Sequence, residues 1–269
     1  MDLDEVLTVE SSREGRVVTL TLNRPSSLNA FDASLFYSLR DRLNELASRK
    51  EVRLVVLRGA GRAFSAGVDI KPGAFPHVLD SSEAWRDYLK EQVELLEQVR
   101  TFPTPVIAVV HGYCLGLACD LAWVCDFIIA SEDAKFGEPE IRHASASTFL
   151  TLPYLVGMRA TKQFLLTGET IDARVAQQWG LITQAVPREL LDDELGRLCE
   201  QLIAIPALAL SLNKASINKA YEMMGLKNAV DYNLEVMVQI RTSEAANRFD
   251  QLVREKGLKE ALKERDANS

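Results

Sequence analysis

Val106-Ile-Ala-Val-Val-His-Gly-Tyr-Cys-Leu-Gly-Leu-Ala-Cys-Asp120 is the stretch that decides how this chain folds. Its first five residues are an unbroken run of β-branched and small apolar side chains, the pattern of a strand covered on both faces. Gly112 and Gly116 then turn the chain, and the spacing predicts a helix over about residues 117–125. A buried strand that turns straight into a helix must cross over to its next strand, and Phe127-Ile-Ile-Ala130 supplies one.

The same grammar recurs upstream. Arg16-Val-Val-Thr-Leu-Thr-Leu-Asn23 alternates and stops at Arg24-Pro-Ser-Ser27. Arg53-Leu-Val-Val-Leu-Arg58 is a second buried-type run, broken by Gly59, Gly61 and Gly67. Helices are predicted over residues 32–48, with Leu35, Leu39, Leu43 and Leu46 on one side, and 85–99, stopped before Phe102-Pro-Thr-Pro105. Alternating strands and helices imply an α/β fold with a largely parallel sheet. From Tyr154 onward the pattern turns helical, with candidates at 160–166, 172–179, 189–204, 209–224, 226–245 and a charged amphipathic stretch at 247–264.

A chain of 269 residues with 47% hydrophobic and 26% charged residues is ordinary for a soluble globular protein. Its net charge of -7 argues against nucleic acid as a partner, because phosphate backbones demand basic patches. Cys114, Cys119, Cys125 and Cys199 form no Cys-x-x-Cys pair, and His77, His111 and His143 are the only histidines, so no metal site is expected. Free thiols fit a reducing, cytoplasmic setting. The acidic start at residues 1–6 lacks a signal-type apolar run, and Val106–Val110 is too short to span a bilayer, so no membrane partner is expected.

A second glycine turn, in Ala63-Phe-Ser-Ala-Gly-Val-Asp-Ile70, matches the one at Gly116. Each follows an apolar strand and bares a backbone N–H. Two such donors aimed at one point form an oxyanion hole for a carbonyl oxygen gaining negative charge. Asp120 falls in the first turn of the helix that follows, where helical side chains lean back toward the N-terminus. Glu140 ends Phe136-Gly-Glu-Pro-Glu140, with Glu138 beside it. A first-turn Asp can simply complement the helix dipole, and a loop Glu is usually solvated. Together with the paired turns, these carboxylates point to proton transfer next to a carbonyl.

Phe64-Ser-Ala-Gly-Val-Asp-Ile-Lys71, Pro105 through Ala122, Cys125-Asp-Phe-Ile-Ile-Ala130 and Phe136-Gly-Glu-Pro-Glu-Ile141 resemble the enoyl-CoA hydratase/isomerase (crotonase) superfamily. Leu22-Asn-Arg-Pro-Ser-Ser-Leu-Asn-Ala-Phe31, Leu166-Thr-Gly168 and Lys214-Ala-Ser-Ile-Asn218 add to the likeness, which runs over about residues 8–257. The resemblance implies a crotonase-like ββα-superhelix core carrying the acyl-CoA site over residues 1–200. Residues 201–269 would be a helical region for trimerisation and active-site cover, giving a homotrimer or homohexamer. It implies acyl-CoA thioester substrates and no metal or redox cofactor. It places the oxyanion-hole N–H groups at Val68 and Leu117, and the two catalytic carboxyls at Asp120 and Glu140, the first orienting water and the second serving the α-carbon. The thioester would touch Ser27, Leu28, Ala66, Gly67, Asp69, Ile70 and Gly116, with Lys71 and Lys256 on the CoA phosphates.

Three departures from the family pattern concern the acyl end. Leu115-Gly-Leu-Ala-Cys119 stands where hydratases carry a glycine-rich run. Asp120 replaces a glutamate and is shorter by one methylene, about 1.5 Å of reach, where a misplacement of ~1 Å can cost a hundredfold in rate. The loop after Glu140 lacks the family's glycines and prolines, and it offers Ser145, Ser147 and Thr148 where dienoyl-CoA isomerases have a further aspartate. The expected activity is 2-enoyl-CoA hydration. The alternatives are double-bond isomerisation with Glu140 as the proton shuttle and, in another class, a non-catalytic CoA- or RNA-binding scaffold.

Overall fold

The structure is a computed structural model that describes residues 6–71, 73–75 and 81–267; His77 and residues 1–5 lie outside the described residues. Six strands make the main sheet in the order β1-β2-β3-β4-β6-β9: Leu7–Ser12, Val17–Leu22, Leu54–Gly59, Val106–Val110, Phe127–Ser131 and Gln184–Val186. The first pair is antiparallel and every later pairing is parallel. A smaller sheet joins β5 (Tyr113–Leu115), β7 (Lys135–Gly137) and β8 (Thr170–Asp172).

The continuous apolar runs are explained by cover on both faces of the sheet. Val55, Leu57, Val106, Ala108, Val110 and Ile128 point into the larger core, which they share with Leu35, Leu39 and Leu43 and with Leu95, Leu96 and Val99. Leu54, Val56, Ile107, Val109 and Ile129 point the other way, under Leu198, Cys199 and Leu202 of the Leu191–Ala204 helix. Helix starts follow their caps: Asp32, Ser81, Asp172 and Ser243 each accept the N–H three residues on.

Three expectations are corrected. The helix after Gly116 spans Leu117–Trp123 and stops short of Cys125. The single helix expected over 226–245 is two, Leu226–Arg241 and Glu244–Lys256, because Ser243 caps a new start. The charged stretch that follows is broken at Gly257, whose φ of 80° suits glycine, before a last helix at Leu258–Ala267. All four cysteines are free thiols. Among the described residues no single helix is long and apolar enough to cross a membrane.

Candidate active site

Strand β5 builds the site by having a parallel neighbour on each side. Ser65 bridges Cys114 on one side, and β7 pairs Phe136 with Cys114 on the other. Ser65, Cys114 and Phe136 therefore form one rung. Two residues further along each chain stand Gly67, Gly116 and Glu138, all leaving in the same direction.

At this exit the chains touch. A Cβ on Gly67, at φ 85°, would lie 2.5 Å from the Leu115 carbonyl oxygen and 3.4 Å from Leu117 N. The Ser65 hydroxyl accepts from Gly67 N at 3.1 Å and donates to Asn29 O at 2.8 Å, fixing the turn. Asp69 N donates to Phe31 O at 2.8 Å and Gly116 N to Gly137 O at 2.8 Å. Among the described residues no protein acceptor takes Val68 N–H or Leu117 N–H. The two turns thus present neighbouring unpaired donors, as an oxyanion hole requires.

Glu140 lies over the second turn. It sits in a 3-10 turn, Pro139–His143, and a Cβ on Gly116 would come within 2.1 Å of its Oε1. The side chain is only half-buried, yet burial of its carboxyl pushes its pKa up to about 8, with the nearby Asp120 charge adding to the rise.

Asp120 is buried, and its carboxyl reaches the loop beyond Glu140 rather than standing open. Oδ1 accepts the Ser147 hydroxyl at 2.7 Å; Oδ2 accepts Thr148 N at 2.7 Å and Phe149 N at 3.3 Å. Burial outweighs these three donors and pushes its pKa up to about 7. The same loop is tied from outside. Asn233 Nδ2 donates to Ser147 O at 2.8 Å, Thr148 Oγ1 to Gln92 Oε1 at 3.2 Å, and Arg241 Nη1 to Ala144 O at 3.3 Å. His143 stacks on Phe249 at 4.9 Å between ring centroids.

Glu138, which the sequence marks only as a neighbour of Glu140, is a third carboxyl at the site. It is not solvated: only 2% of it is exposed, and no donor reaches its Oε2. Its pKa is raised by burial first, then by the Glu140 and Asp120 charges. No local signal in the sequence marks it, because only the β5–β7 register, seen in the structure, puts Glu138 level with the two glycines.

Among the thioester candidates, Ser27 closes a 3-10 turn, Pro25–Ser27, and Leu28 follows in the left-handed region at φ 52°. Leu28 O accepts Ala66 N at 2.9 Å, so these segments adjoin. Asp69 is buried and pairs with Arg24 at 3.2 Å, and Arg24 also reaches Asp32 at 3.0 Å, bracing the first turn. Ile70 is 37% exposed, and Lys71 N donates to Asp69 Oδ1 at 3.3 Å. Lys256 stands apart, in an ion pair with Glu264, and among the described residues no contact links it to the glycine turns. No group of three or more His, Cys, Asp or Glu among the described residues is arranged to hold a metal.

The raised carboxyls make stability fall with pH. The folded state keeps protons on Asp120 to about 7 and on Glu140 to about 8, well above their ordinary values of 3.8 and 4.5. It therefore binds more protons than the unfolded chain between those limits, and stability present at low pH is lost as pH rises through 7 and 8. The apparent Tm is expected to be roughly 5 °C or more lower at pH 9 than at pH 6. A thermal melt that is flat or rising over that range would show these carboxyls already ionised at neutral pH.

Comparison with known proteins gives a consistent set of relatives. The model of the family described as Enoyl-CoA hydratase/isomerase matches residues 12–265. A Rhizobium meliloti protein named "Probable enoyl-CoA hydratase" is 37% identical over 81% of this chain and 83% of its own length. A crotonyl-CoA hydratase of Syntrophomonas wolfei is 33% identical over 78% of this chain and 81% of its own. The crystal structure of an enoyl-CoA hydratase/isomerase from Xanthobacter autotrophicus Py2 superposes with a TM-score of 0.91 at 32% identity, covering 98% of each chain.

Proposed function

The chain belongs to the enoyl-CoA hydratase/isomerase family, and from that premise and its site we propose that it is a 2-enoyl-CoA hydratase. The observation that carries this is the placement of the Glu140 carboxyl against Gly116, beside two unpaired N–H groups. Val68 N–H and Leu117 N–H hold the thioester oxygen and stabilise the enolate as its charge develops. Glu140, protonated below about pH 8, gives its proton to the α-carbon. A water oxygen bonds to the β-carbon as the double-bond electrons move into the enolate. The water's proton passes to Asp120, ionised above about pH 7. Oδ1 is the atom for this, because it carries one donor where Oδ2 carries two. Two carboxyls with separated pKa values divide acid and base work in this way.

Ser27, Leu28, Ala66, Gly67, Asp69, Ile70 and Gly116 line the thioester path in this reading. Lys71 and, from a neighbouring subunit, Lys256 serve the CoA phosphates, and nothing beyond CoA in the substrate is required. Residues 1–200 carry the site and residues 201–269 cover it, as Asn233 and Arg241 already do through the 144–147 backbone. The exposed Leu208, Leu212, Ile217, Met223 and Met224 suit subunit contacts in a homotrimer or homohexamer. Four free thiols suit the cytoplasm.

One observation favours a second reading. The three loop donors on Asp120 leave Glu140 as the less encumbered acid–base group, which is what a double-bond isomerase needs. A panel of enoyl-CoA thioesters separates the two. Hydration is expected to bleach the conjugated thioester of 2-enoyl-CoA and yield 3-hydroxyacyl-CoA, and Asp120→Asn is expected to suppress it. Asn can keep the loop contacts by turning its oxygen to the two N–H groups, so that loss reports on the base. Conversion of 3-enoyl-CoA instead, with Asp120→Asn active and Glu140→Gln inert, identifies the isomerase. Binding without turnover across the panel rules out both and leaves a scaffold.

A further inference from the structure

We propose that Glu138 is a neutral carboxylic acid that donates a hydrogen bond to the Glu140 carboxylate, positions it over Gly116 and stabilises its ionised form. This rests on Glu140 being the acid–base group. The geometry comes first. The β5–β7 register sets Glu138 level with Gly116, and the bond from Gly116 N to Gly137 O holds the Glu138 backbone beside the turn. Pro139 follows it, with a fixed φ and no N–H, and opens the 3-10 turn that carries Glu140.

Its surroundings forbid a charge. Glu138 is 2% exposed, and its Oε2 receives no N–H or O–H. The titratable groups acting on it are Glu140 on its own turn, Asp120 and Cys119 on the Leu117–Trp123 helix, and Cys114 on β5. None of these is a cation. A buried carboxylate without a cation or donors is far costlier than the protonated acid, so the proton stays on Glu138. Both carboxyls stand at the Gly116 turn, and their mutual influence raises Glu138 and lowers Glu140, the sense expected when Glu138 is the donor. When Glu140 has passed its proton to the α-carbon, the Glu138 O–H remains bonded to the new carboxylate. In the reverse direction the α-proton returns to Glu140 and Glu138 again keeps its own.

Glu138→Gln and Glu138→Met separate this role from simple packing. Gln retains a neutral donor, so the pH profile of kcat is expected to stay in place. Met fills similar space without a donor and is expected to move the Glu140 limb upward by about one to two pH units, with KM little changed. A downward shift in Glu138→Gln would mean that the native residue is ionised and would overturn the proposal. An unmoved profile in a folded Glu138→Met would overturn it equally. Infrared spectra of the free enzyme supply a readout independent of substrate and of the hydratase reading. At neutral pH, Glu138→Gln is expected to lose one carbonyl band of a protonated carboxylic acid. If wild type and Glu138→Gln match in that region, Glu138 was never protonated and the proposal fails, whichever thioester the enzyme processes.

Discussion

Glu140→Gln is expected to lower kcat for hydration by about 10³-fold, within the 10²–10⁴ range of a positioned general acid, while KM for the thioester changes little. The substitution is nearly isosteric. At neutral pH it is also nearly isoelectric, because Glu140 holds its proton to about pH 8. Packing against Gly116 and the pair with Glu138 can therefore persist, and the variant, free of the cost of holding a carboxyl protonated at neutral pH, should melt at or above wild type. What disappears is a proton that can leave. Glutamine cannot supply it to the α-carbon, and the enolate, although still held by Val68 and Leu117, can only revert. Residual turnover should also lack the decline expected of wild type as pH rises through 8. Stopped-time assays of kcat and KM, with α-proton exchange followed in deuterated water, check both parts. Retention of more than about a tenth of wild-type kcat would place the α-carbon acid elsewhere.

How far the sequence reveals this site depends on where the information resides. Val106–Val110 is read to the residue because a strand covered on both faces is apolar throughout, and no partner need be known to see it. β1 escapes such reading: only Leu7 is buried, Thr8 is half-buried, and the rest of Leu7–Ser12 is an exposed edge with no apolar rhythm. β5, β7, β8 and β9 have three residues each, too few for periodicity to declare itself. Gly67, Gly116, Asp120 and Glu140 are legible because each lies in a motif whose chemistry is local. The clasp between Asp120 and Ser147 spans 27 positions, and no spacing rule links them. Glu138 is the sharper lesson. Flanked by Gly137 and Pro139 it has the composition of a solvated loop, and only the register of β7 beside β5 carries it inside.

Gly116→Ala is expected to be the more damaging change, with kcat/KM falling at least ~10³-fold, because it strikes both halves of the site at once. Gly116 sits at φ 54° and ψ -129°, a conformation that essentially only glycine adopts. A Cβ there would lie 2.1 Å from Glu140 Oε1, 3.0 Å from its carboxyl carbon and 3.3 Å from Oε2. Something must move. If the backbone relaxes, the Leu117 N–H swings off the oxyanion position, a loss worth about 10²–10³ on its own. If Glu140 is displaced, the general acid leaves the α-carbon. Residues that act as one unit lose activity non-additively, so Gly116→Ala should cost much less in a Glu140→Gln background than in wild type. Gly67→Ala is the contrasting case. Its Cβ would meet the Leu115 carbonyl at 2.5 Å and no carboxyl, so its penalty should stay nearly the same in either background. Measuring kcat/KM across the three single and two double variants, with Tm as a check on folding, tests the coupling directly. Full additivity of Gly116→Ala with Glu140→Gln would mean that the second glycine turn and the acid do not share the reacting atoms.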